Sequence, residues 1–288
     1  MTSEPSVPTI AWINGEWGQP EDLTLPVSDR GLQLADGLFE TVLIQNNSPC
    51  LLGAHLDRWN RSAALLGMAS PPQGPWLIDL IQEAIERSGL NDSDGALRLN
   101  WSRGNGIKRG LDLDPKPPDP SQHRFWLTLQ SHTPMFGVIQ TWISRHERRH
   151  GSSVMSRCKT FAYGQSVQVR REAQQRGADD GLMLSTNGAL CCGSSANLVI
   201  GRHGEWLTPP VSDGCLPGVM RAELLQRGVI QEQSLSPQPL PDDQWLLINS
   251  LSCRTISHVN GTSLQVSEGG EALWRSLLVP QPEPSLPS

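Results

Sequence analysis

Apolar residues recur along the chain with two spacings, which predict strands interspersed with helices. Apolar and polar positions alternate in TIAWING, and ALRLNWS and HRFWLTLQ also have the character of strands. In HLDRWNRSAALLGM and PWLIDLIQEAIERSGL the apolar residues follow the helical spacing, and a glycine near each end suits a C-cap. The first half of the chain therefore combines predicted sheet strands with two predicted helices.

The second half continues this mixture without an internal repeat. VIQTWIS predicts a strand, GQSVQVRREAQQRG a helix, and LMLSTNGALC a hairpin with Asn-Gly at its turn. NLVIG and EWLTPP follow, and PGVMRAELLQRG has the early proline and late glycine of a helix. We predict a mixed α/β fold.

Two domains are expected, because 288 residues are enough for two cores of ordinary size. We place an N-terminal α/β domain at residues 9–131, a linker at 132–136 and a larger C-terminal domain at 137–280. The terminal segments 1–8 and 281–288 are rich in proline and serine, and we expect them to be disordered.

Charge and composition argue against several classes of partner. The formal net charge of -6 is mild, and no basic stripe suited to nucleic acid or to a membrane surface is present. No apolar run approaches a membrane span, and the N-terminal residues lack the pattern of a secretory signal. The six cysteines show no C-x-x-C spacing and are interpreted as free thiols of a reducing compartment. We expect a cytoplasmic protein.

The segment HERRH, residues 146–150, matches the H-E-x-x-H pattern of zinc peptidases. That pattern needs a helix, which places two histidines on one face to bind the metal. Here VIQTWIS alternates like a strand up to Arg145, and GSS follows the motif, which leaves about a turn and a half for a helix. We interpret His146, Glu147 and His150 as a polar strand end and predict no metal site.

Chemistry that needs a lysine amine has few positions, because the chain contains only three lysines. Lys108 lies in the glycine-rich GNGIKRG and Lys116 stands among prolines, so both are expected to be solvated. Lys159, in SRCKTFAYG, has apolar neighbours that could desolvate an amine, as a lysine that condenses with a carbonyl requires. A lysine whose amine simply reaches solvent is the ordinary alternative.

An anion site is suggested at the start of the helix in LPGVMRAELL. The amides of Val219 and Met220 follow Gly218 there, and free N–H groups at a helix start favour a phosphate. Arg58 lies in HLDRWNRS, on the predicted side opposite the apolar stripe, and could bind a phosphate with two hydrogen bonds. A plain Pro-Gly turn and a solvated helix arginine are the alternatives, and these stretches alone leave both open.

Taken together, the chain resembles the fold-type IV pyridoxal-phosphate enzymes, the class IV aminotransferase family. This family includes branched-chain aminotransferases, D-amino-acid aminotransferases and aminodeoxychorismate lyases. The resemblance runs from WINGEWG to NSLSCRTI and rests on the order and spacing of its blocks. In chain order they are ING, SDRGLQLADGLFET, HLDRWNRSAALLG, RLNWSRGNG, KTFAY, GADDGLMLSTNGAL, SSANLVI, LTPPVSDGCLPGVMR and LLINSL.

The resemblance implies a homodimer of two-domain subunits that bind pyridoxal 5'-phosphate at the domain interface. Carried over residue by residue, the lysine that condenses with the cofactor is Lys159, and the phosphate-binding arginine is Arg58. The helix-start amides are those of Val219 and Met220, and a phosphate-binding hydroxyl is that of Ser250.

Two further positions concern the cofactor ring. Tyr163 stands where many members place a tyrosine near the phenolic oxygen, and a purely structural tyrosine is the alternative. Five residues before Asn197 the family has a glutamate that pairs with the pyridine nitrogen, and here Cys192 holds that place. A carboxylate keeps the pyridine protonated and the ring a strong electron sink, whereas a thiol is a weak partner. We expect a largely neutral pyridine unless Cys192 ionises or another acid reaches it.

This departure favours the lyases of the family. Transamination must hold a full negative charge on the ring, whereas a β-elimination with an aromatic product is partly driven by aromatisation. SRGNGIKRG and NSL also resemble the lyases, and Arg103 or Arg109 would receive substrate carboxylates, with a solvated basic loop as the alternative. The resemblance implies an aminodeoxychorismate lyase of folate biosynthesis. A branched-chain or D-amino-acid aminotransferase and an inactive cofactor-binding homologue are the alternatives.

Overall fold

The protein contains two β-sheets, and each half of the chain forms one of them. The structure is a computed structural model that describes residues 9–90, 93–106 and 110–279. Within these ranges the first sheet has six strands: β1 (Thr9–Ile13), β2 (Glu16–Gly18), β3 (Gly37–Gln45), β4 (Ser48–Pro49), β5 (Gly95–Ser102) and β6 (Arg124–Ser131). Their order is β2-β1-β6-β5-β3-β4, and every neighbouring pair is antiparallel.

Three helices belong to this half: α1 (Arg30–Leu34), α2 (Leu52–Leu65) and α3 (Pro75–Ser88). Helix α2 packs on β3, and α3 packs on β1 and β6. Pro75 occupies the first turn of α3, and Gly89 ends the helix in the left-handed conformation with φ 71°, which suits a residue without a Cβ atom. The buried core of this half lies between the sheet and these helices and includes Leu38, Trp59 and Leu97.

The second sheet has nine strands in the described part of the chain. They are β7 (Val138–Arg149), β8 (Asp180–Ser185), β9 (Leu190–Gly193), β10 (Asn197–Arg202), β11 (Glu205–Thr208), β12 (Gln231–Glu232), β13 (Gln244–Asn249), β14 (Ser252–Val259) and β15 (Thr262–Ser263). The order is β12-β11-β10-β13-β14-β7-β8-β9, with β15 on β14. Strand β9 also pairs with β10, so the sheet closes on itself around a core that includes Trp245 and Leu247.

Helices α4 (Val154–Arg157), α5 (Gly164–Gln175), α6 (Val219–Gln226) and α7 (Gly270–Leu277) complete this half, together with a short 3-10 turn at Val211–Asp213. A second 3-10 turn, Pro120–Gln122, lies between β5 and β6 of the first half. Helix α5 packs on β7 and β8, α6 on β13, and α7 on β14. Among the described residues, no helix combines the length and apolar character needed to span a membrane.

Several sequence predictions can be compared with these elements. The mixed α/β character is confirmed, and so is the hairpin, since β8 and β9 pair antiparallel around Asn187 and Gly188. The predicted linker at 132–136 falls between β6 and β7, and the division into two domains stays a prediction. The segments 1–8 and 281–288 lie outside the described residues, as does residue 280 of the predicted second domain.

The HERRH segment lies on a strand, as predicted. His146 and Glu147 belong to β7, whose last residue is Arg149, so His150 directly follows the strand. The register of β7 against β8 shifts between Ile143 and Arg148. An extended backbone turns successive side chains to opposite faces, so the helical arrangement of the zinc pattern does not form. Within the described ranges, no cluster of three or more His, Cys, Asp or Glu side chains could hold a metal ion.

Strand β3 faces both halves of the molecule. Leu38 and Val42 belong to the core beneath α2 and α3, whereas Leu43 packs with Leu224 of α6 and Trp274 of α7. Because side chains alternate along a strand, Phe39 shares the face of Leu43. This face of β3 therefore forms part of the boundary between the two sheets.

Candidate active site

A cavity of about 420 Å³ opens at this boundary and contains the side chain of Lys159. One wall comes from β3, β5 and α2, and the other from the second sheet and the start of α6. The described residues that line it include three arginines and one lysine but no aspartate or glutamate. The cationic residues are Arg58, Arg98, Arg149 and Lys159.

Backbone pairing with β3 holds Lys159 at the cavity. The amide of Phe39 donates to Lys159 O at 2.9 Å, and the amide of Phe161 donates to Gly37 O at 3.0 Å. A Cβ atom at Gly37 would lie 2.2 Å from the Phe161 ring, so this close approach depends on glycine. Lys159 Nζ donates to Tyr163 Oη at 3.0 Å and lies 4.4 Å from the centre of the Phe39 ring.

A buried ion pair fixes Arg58. Its Nε donates to Glu40 Oε1 at 2.8 Å, a second guanidinium nitrogen contacts Glu40 Oε2, and its Nη1 donates to Pro217 O at 3.3 Å. The prediction that Arg58 lies opposite the apolar stripe of α2 was wrong, since Arg58 is buried together with Trp59. The reason is that Glu40 neutralises the guanidinium on the face of α2 that packs on β3.

His55 completes this network. Its Nδ1 lies 2.7 Å from Glu40 Oε2, and its Nε2 lies 3.2 Å from Ser250 Oγ. Burial raises the pKa of Glu40, but the charge of Arg58 and hydrogen bonds from His55 and Arg58 outweigh this and lower the pKa to about 2. Burial is also the largest influence on His55, and it lowers the pKa of the imidazole despite the nearby carboxylate. Glu40 is therefore ionised and His55 neutral at pH 7.

The start of α6 meets the same end of the cavity. Val219 and Met220 open the helix, and no side-chain hydrogen bond from the described residues caps it. A Cβ atom at Gly218 would lie 1.9 Å from Asn197 Oδ1, and Asn197 Nδ2 donates to Leu216 O at 2.8 Å. The first amides of a helix have no intrahelical partner, so this tight turn presents donors beside Arg58 and Ser250.

Cys192 lies on β9, lines the cavity and pairs in register with Asn197 of β10. A hydrogen bond from Cys191 lowers the pKa of the Cys192 thiol, and the positive charge of Arg149 acts in the same direction against burial. The charge of Asp180 acts in the opposite direction on Cys192, and this carboxylate accepts from Ser194 Oγ at 2.6 Å and from Arg170 at 2.8 Å. Asp180 lies behind Ser194 and does not line the cavity, so no described carboxylate takes the place of the family glutamate.

The two predicted substrate arginines are not brought to this cavity. Arg103 donates to Asp36 Oδ2 at 2.9 Å and to the carbonyls of Leu66 and Gly67 at 2.9 Å each. It thereby satisfies carbonyl groups at the end of α2, which lack helical partners. Arg109 lies outside the described residues.

Arg98 lines the cavity instead and was missed from the sequence. It lies on β5 with its guanidinium carbon 3.5 Å from the centre of the Phe39 ring, and its Nε donates to Asn100 Oδ1 at 2.7 Å. Burial lowers the pKa of the guanidinium, which still remains charged. The alternation in ALRLNWS contained the signal, since Arg98 and Asn100 occupy the face opposite the apolar residues.

Glu40 and His55 were also missed. An acidic residue within the apolar strand segment GLFETVLIQ indicates a buried charge that needs a partner. His55 and Arg58 are three residues apart and share a helical face. Only the packing of α2 on β3 shows that these three side chains meet.

The sequence of the chain matches a known protein family. A family model described as amino-transferase class IV matches residues 37–259. The chain belongs to the class IV aminotransferase family. It is therefore related to enzymes that depend on pyridoxal phosphate, which confirms the predicted cofactor and the prediction that the chain is an enzyme.

Individual relatives carry different activities. The bifunctional aminodeoxychorismate lyase / D-amino acid transaminase of Mycobacterium tuberculosis is 28% identical over 230 residues, 75% of this chain and 77% of that protein. The branched-chain-amino-acid aminotransferase of Pseudomonas aeruginosa is 28% identical over 223 residues, 75% of this chain and 71% of the relative. A hypothetical aminotransferase from Mycobacterium tuberculosis, solved in PLP-bound form, superposes with a TM-score of 0.78 at 22% identity, covering 93% of this chain and 97% of that one. At this level of identity, the similarity to the solved structure shows only that the two chains share a fold.

The residues of the cavity fit this cofactor. A phosphate group would be held by Arg58, the Ser250 hydroxyl and the uncapped amides at the start of α6, and the amine of Lys159 opens into the same space. The absence of a Cβ atom at position 218 lets Asn197 Oδ1 pack against this turn, because any Cβ atom there would lie 1.9 Å from that oxygen.

We predict that Glu40→Gln destabilises the protein by about 3 kcal/mol near neutral pH, because it removes the charge that compensates a buried arginine. The folded-state pKa of Glu40 is depressed from 4.5 to about 2, so its stabilisation is complete above about pH 4.5 and is lost as the pH falls toward 2. Urea denaturation followed by tryptophan fluorescence should show the difference between wild type and variant shrinking below about pH 4.5. The exposed Glu205 supplies a control, Glu205→Gln. A difference that is independent of pH would contradict the assignment.

Proposed function

We propose that this chain is an aminodeoxychorismate lyase, which converts 4-amino-4-deoxychorismate to 4-aminobenzoate and pyruvate in folate biosynthesis. The observation that carries the proposal is a cavity with four cationic side chains and, among its described lining residues, no carboxylate. A phosphorylated cofactor and a dicarboxylate substrate together bring several negative charges, which such a cavity accommodates. Cys192 in place of the family glutamate supports the same choice.

This proposal gives separate roles to the anion end of the cavity and to Lys159. Pyridoxal phosphate supplies an aldehyde that condenses with amines and a ring that accepts electrons. Arg58, Ser250 and the amides of Val219 and Met220 bind its phosphate. Lys159 Nζ, which donates to Tyr163 Oη, removes a proton from the substrate and returns one as general base and acid. Loss of the proton accompanies breakage of the carbon–oxygen bond to the three-carbon group, which departs as enolpyruvate and becomes pyruvate when its methylene carbon gains a proton.

The lack of a carboxylate partner for the pyridine nitrogen among the described lining residues favours elimination over transamination. Cys192 is adjacent to Cys191, and the charge of Arg149 acts on its thiol. A thiol or thiolate beside an arginine is a poorer partner for a protonated pyridine than a carboxylate is. The ring therefore withdraws electrons less strongly, which an elimination that forms an aromatic product tolerates better than a transamination does.

An aminotransferase is the second candidate. Two relatives favour it by their named activities. One combines aminodeoxychorismate lyase and D-amino acid transaminase activities, and the other is a branched-chain-amino-acid aminotransferase. We further propose a cytoplasmic homodimer. The homodimer rests on the family resemblance, and the location on six thiols, all of them free.

One assay separates these candidates. Purified protein loaded with pyridoxal phosphate and given 4-amino-4-deoxychorismate, without any keto acid, should release 4-aminobenzoate, detected by its fluorescence after chromatography. The lyase cycle needs no second substrate, so the release should continue over many turnovers. Conversion of bound cofactor to its pyridoxamine form by D-amino or branched-chain amino acids, without 4-aminobenzoate, would instead establish the aminotransferase. Neither reaction from a loaded protein would indicate an inactive homologue.

We further propose that Arg98, which lines the cavity, binds a carboxylate of the substrate. Arg98→Gln should therefore lower kcat/KM for 4-amino-4-deoxychorismate by about 10-fold to 100-fold, because hydrogen bonds to charged groups contribute about 1.5–3 kcal/mol. Arg98→Lys should recover part of the loss, since it restores the charge without the planar guanidinium. Arg103→Gln is the matched comparison, and it should lower the melting temperature while leaving KM nearly unchanged. If Arg103→Gln raises KM and Arg98→Gln does not, Arg103 binds the substrate, as the sequence predicted.

A further inference from the structure

A chain of hydrogen-bonding groups runs from the buried ion pair to the wall of the cavity. Glu40 Oε2 lies 2.7 Å from His55 Nδ1, and His55 Nε2 lies 3.2 Å from Ser250 Oγ. The side chains of Glu40 and His55 are each 1% exposed, whereas Ser250 lines the cavity. The imidazole thus connects an interior carboxylate to a hydroxyl that faces the bound ligand.

The carboxylate determines which ring nitrogen carries the proton. Glu40 is ionised and offers only acceptors, so His55 Nδ1 must hold a hydrogen and donate it. A neutral imidazole has one N–H group, which leaves Nε2 as an acceptor. The only hydrogen of the Ser250 hydroxyl then points to His55 Nε2, and the oxygen presents its lone pairs to the cavity.

This orientation is wrong for a phosphate. A phosphate dianion needs donors, and lone pairs of Ser250 turned toward its oxygens would repel them. Ser250 can donate to the ligand only if His55 Nε2 also carries a hydrogen. Because Glu40 keeps the hydrogen on Nδ1, that state is the doubly protonated imidazolium.

We propose that His55 takes up a proton from solvent when a phosphate monoester dianion binds, and thereby turns the Ser250 hydroxyl toward the phosphate. His55 is then a positioning residue for the anion end of the cavity. The inference rests on the proposed phosphate site formed by Arg58, Ser250 and the start of α6.

The charges around His55 give the direction of the effect. Burial and the positive charges of Arg58 and Lys159 lower the pKa of His55 in the free protein, while Glu40 acts against them. A dianion beside Arg58 adds negative charge next to the imidazole and raises its pKa. Affinity for the phosphate should therefore fall as the pH rises through the His55 pKa of the complex. Below about pH 6 the second ionisation of the phosphate itself limits binding.

Calorimetry can count the proton. The probe is pyridoxine 5'-phosphate, which carries the phosphate but no aldehyde, so that Lys159 cannot condense with it. Titration near pH 7.5 in buffers of different ionisation enthalpy gives the number of protons taken up per ligand. We expect the wild type to take up about one proton more per bound ligand than His55→Gln does. The exposed His146 on β7 provides the matched control, and His146→Gln should behave as the wild type does.

The outcomes are distinguishable. Equal proton uptake by wild type and His55→Gln would overturn the inference and leave the proposed function intact. Failure of the wild type to bind the probe would overturn the phosphate site and the inference together. If His55→Gln does not fold, 15N spectra of the wild-type histidines serve instead. His55 should be neutral in the free protein and an imidazolium with the probe bound. A neutral His55 in that complex would overturn the inference.

Discussion

Two backbone hydrogen bonds join strand β3 to the segment that carries Lys159, from Phe39 N to Lys159 O and from Phe161 N to Gly37 O. The amine of Lys159 therefore depends on a strand of the other half of the molecule for its position. The same strand supplies Glu40 on its opposite face, where the carboxylate binds Arg58 and His55. One strand thus positions both the amine and the anion end of the cavity, and a shift of one residue in its register would exchange the two faces.

The distribution of charge follows from this arrangement. Acidic side chains stand behind the cavity wall, where Glu40 compensates Arg58 and Asp180 binds Ser194 and Arg170. The described lining itself contributes cations and uncharged side chains, both polar and apolar. A chain with a formal net charge of -6 therefore presents a locally positive cavity to its ligands. Such a field favours anionic ligands irrespective of the reaction that follows.

The sequence predicted local features better than contacts between elements. Alternation and helical spacing located most strands and helices, and the strand spacing before HERRH ruled out a helical zinc site. The scarcity of lysine pointed to Lys159, which does lie in the cavity. Periodicity reports which residues face the interior, but it does not report where a polar side chain finds its partner. For this reason Arg58 was placed on the wrong face of α2, since its compensating carboxylate lies on a strand that the helix pattern cannot reveal.

Because sequence patterns do not report contacts between elements, Arg103 was predicted to bind the substrate and Arg98 was missed. Arg103 lies in a glycine-containing segment that resembles a substrate loop, yet Asp36 and the carbonyls at the end of α2 hold it. Arg98 interrupts an apolar strand, where its position facing the cavity depends on the pairing of β5 with β3. Cys192 could be found by counting from Asn197, but the lack of a substitute carboxylate among the described lining residues required the folded chain.

The central claim, that Lys159 is the amine that condenses with the cofactor, is tested most directly by borohydride reduction of the protein loaded with pyridoxal phosphate, followed by peptide mapping. The chain has only three lysines, so each can be examined separately. We expect a single stable adduct on Lys159, and Lys159→Arg should abolish it. An adduct on Lys108 or Lys116 instead, or none on a protein that still binds the cofactor, would contradict the account.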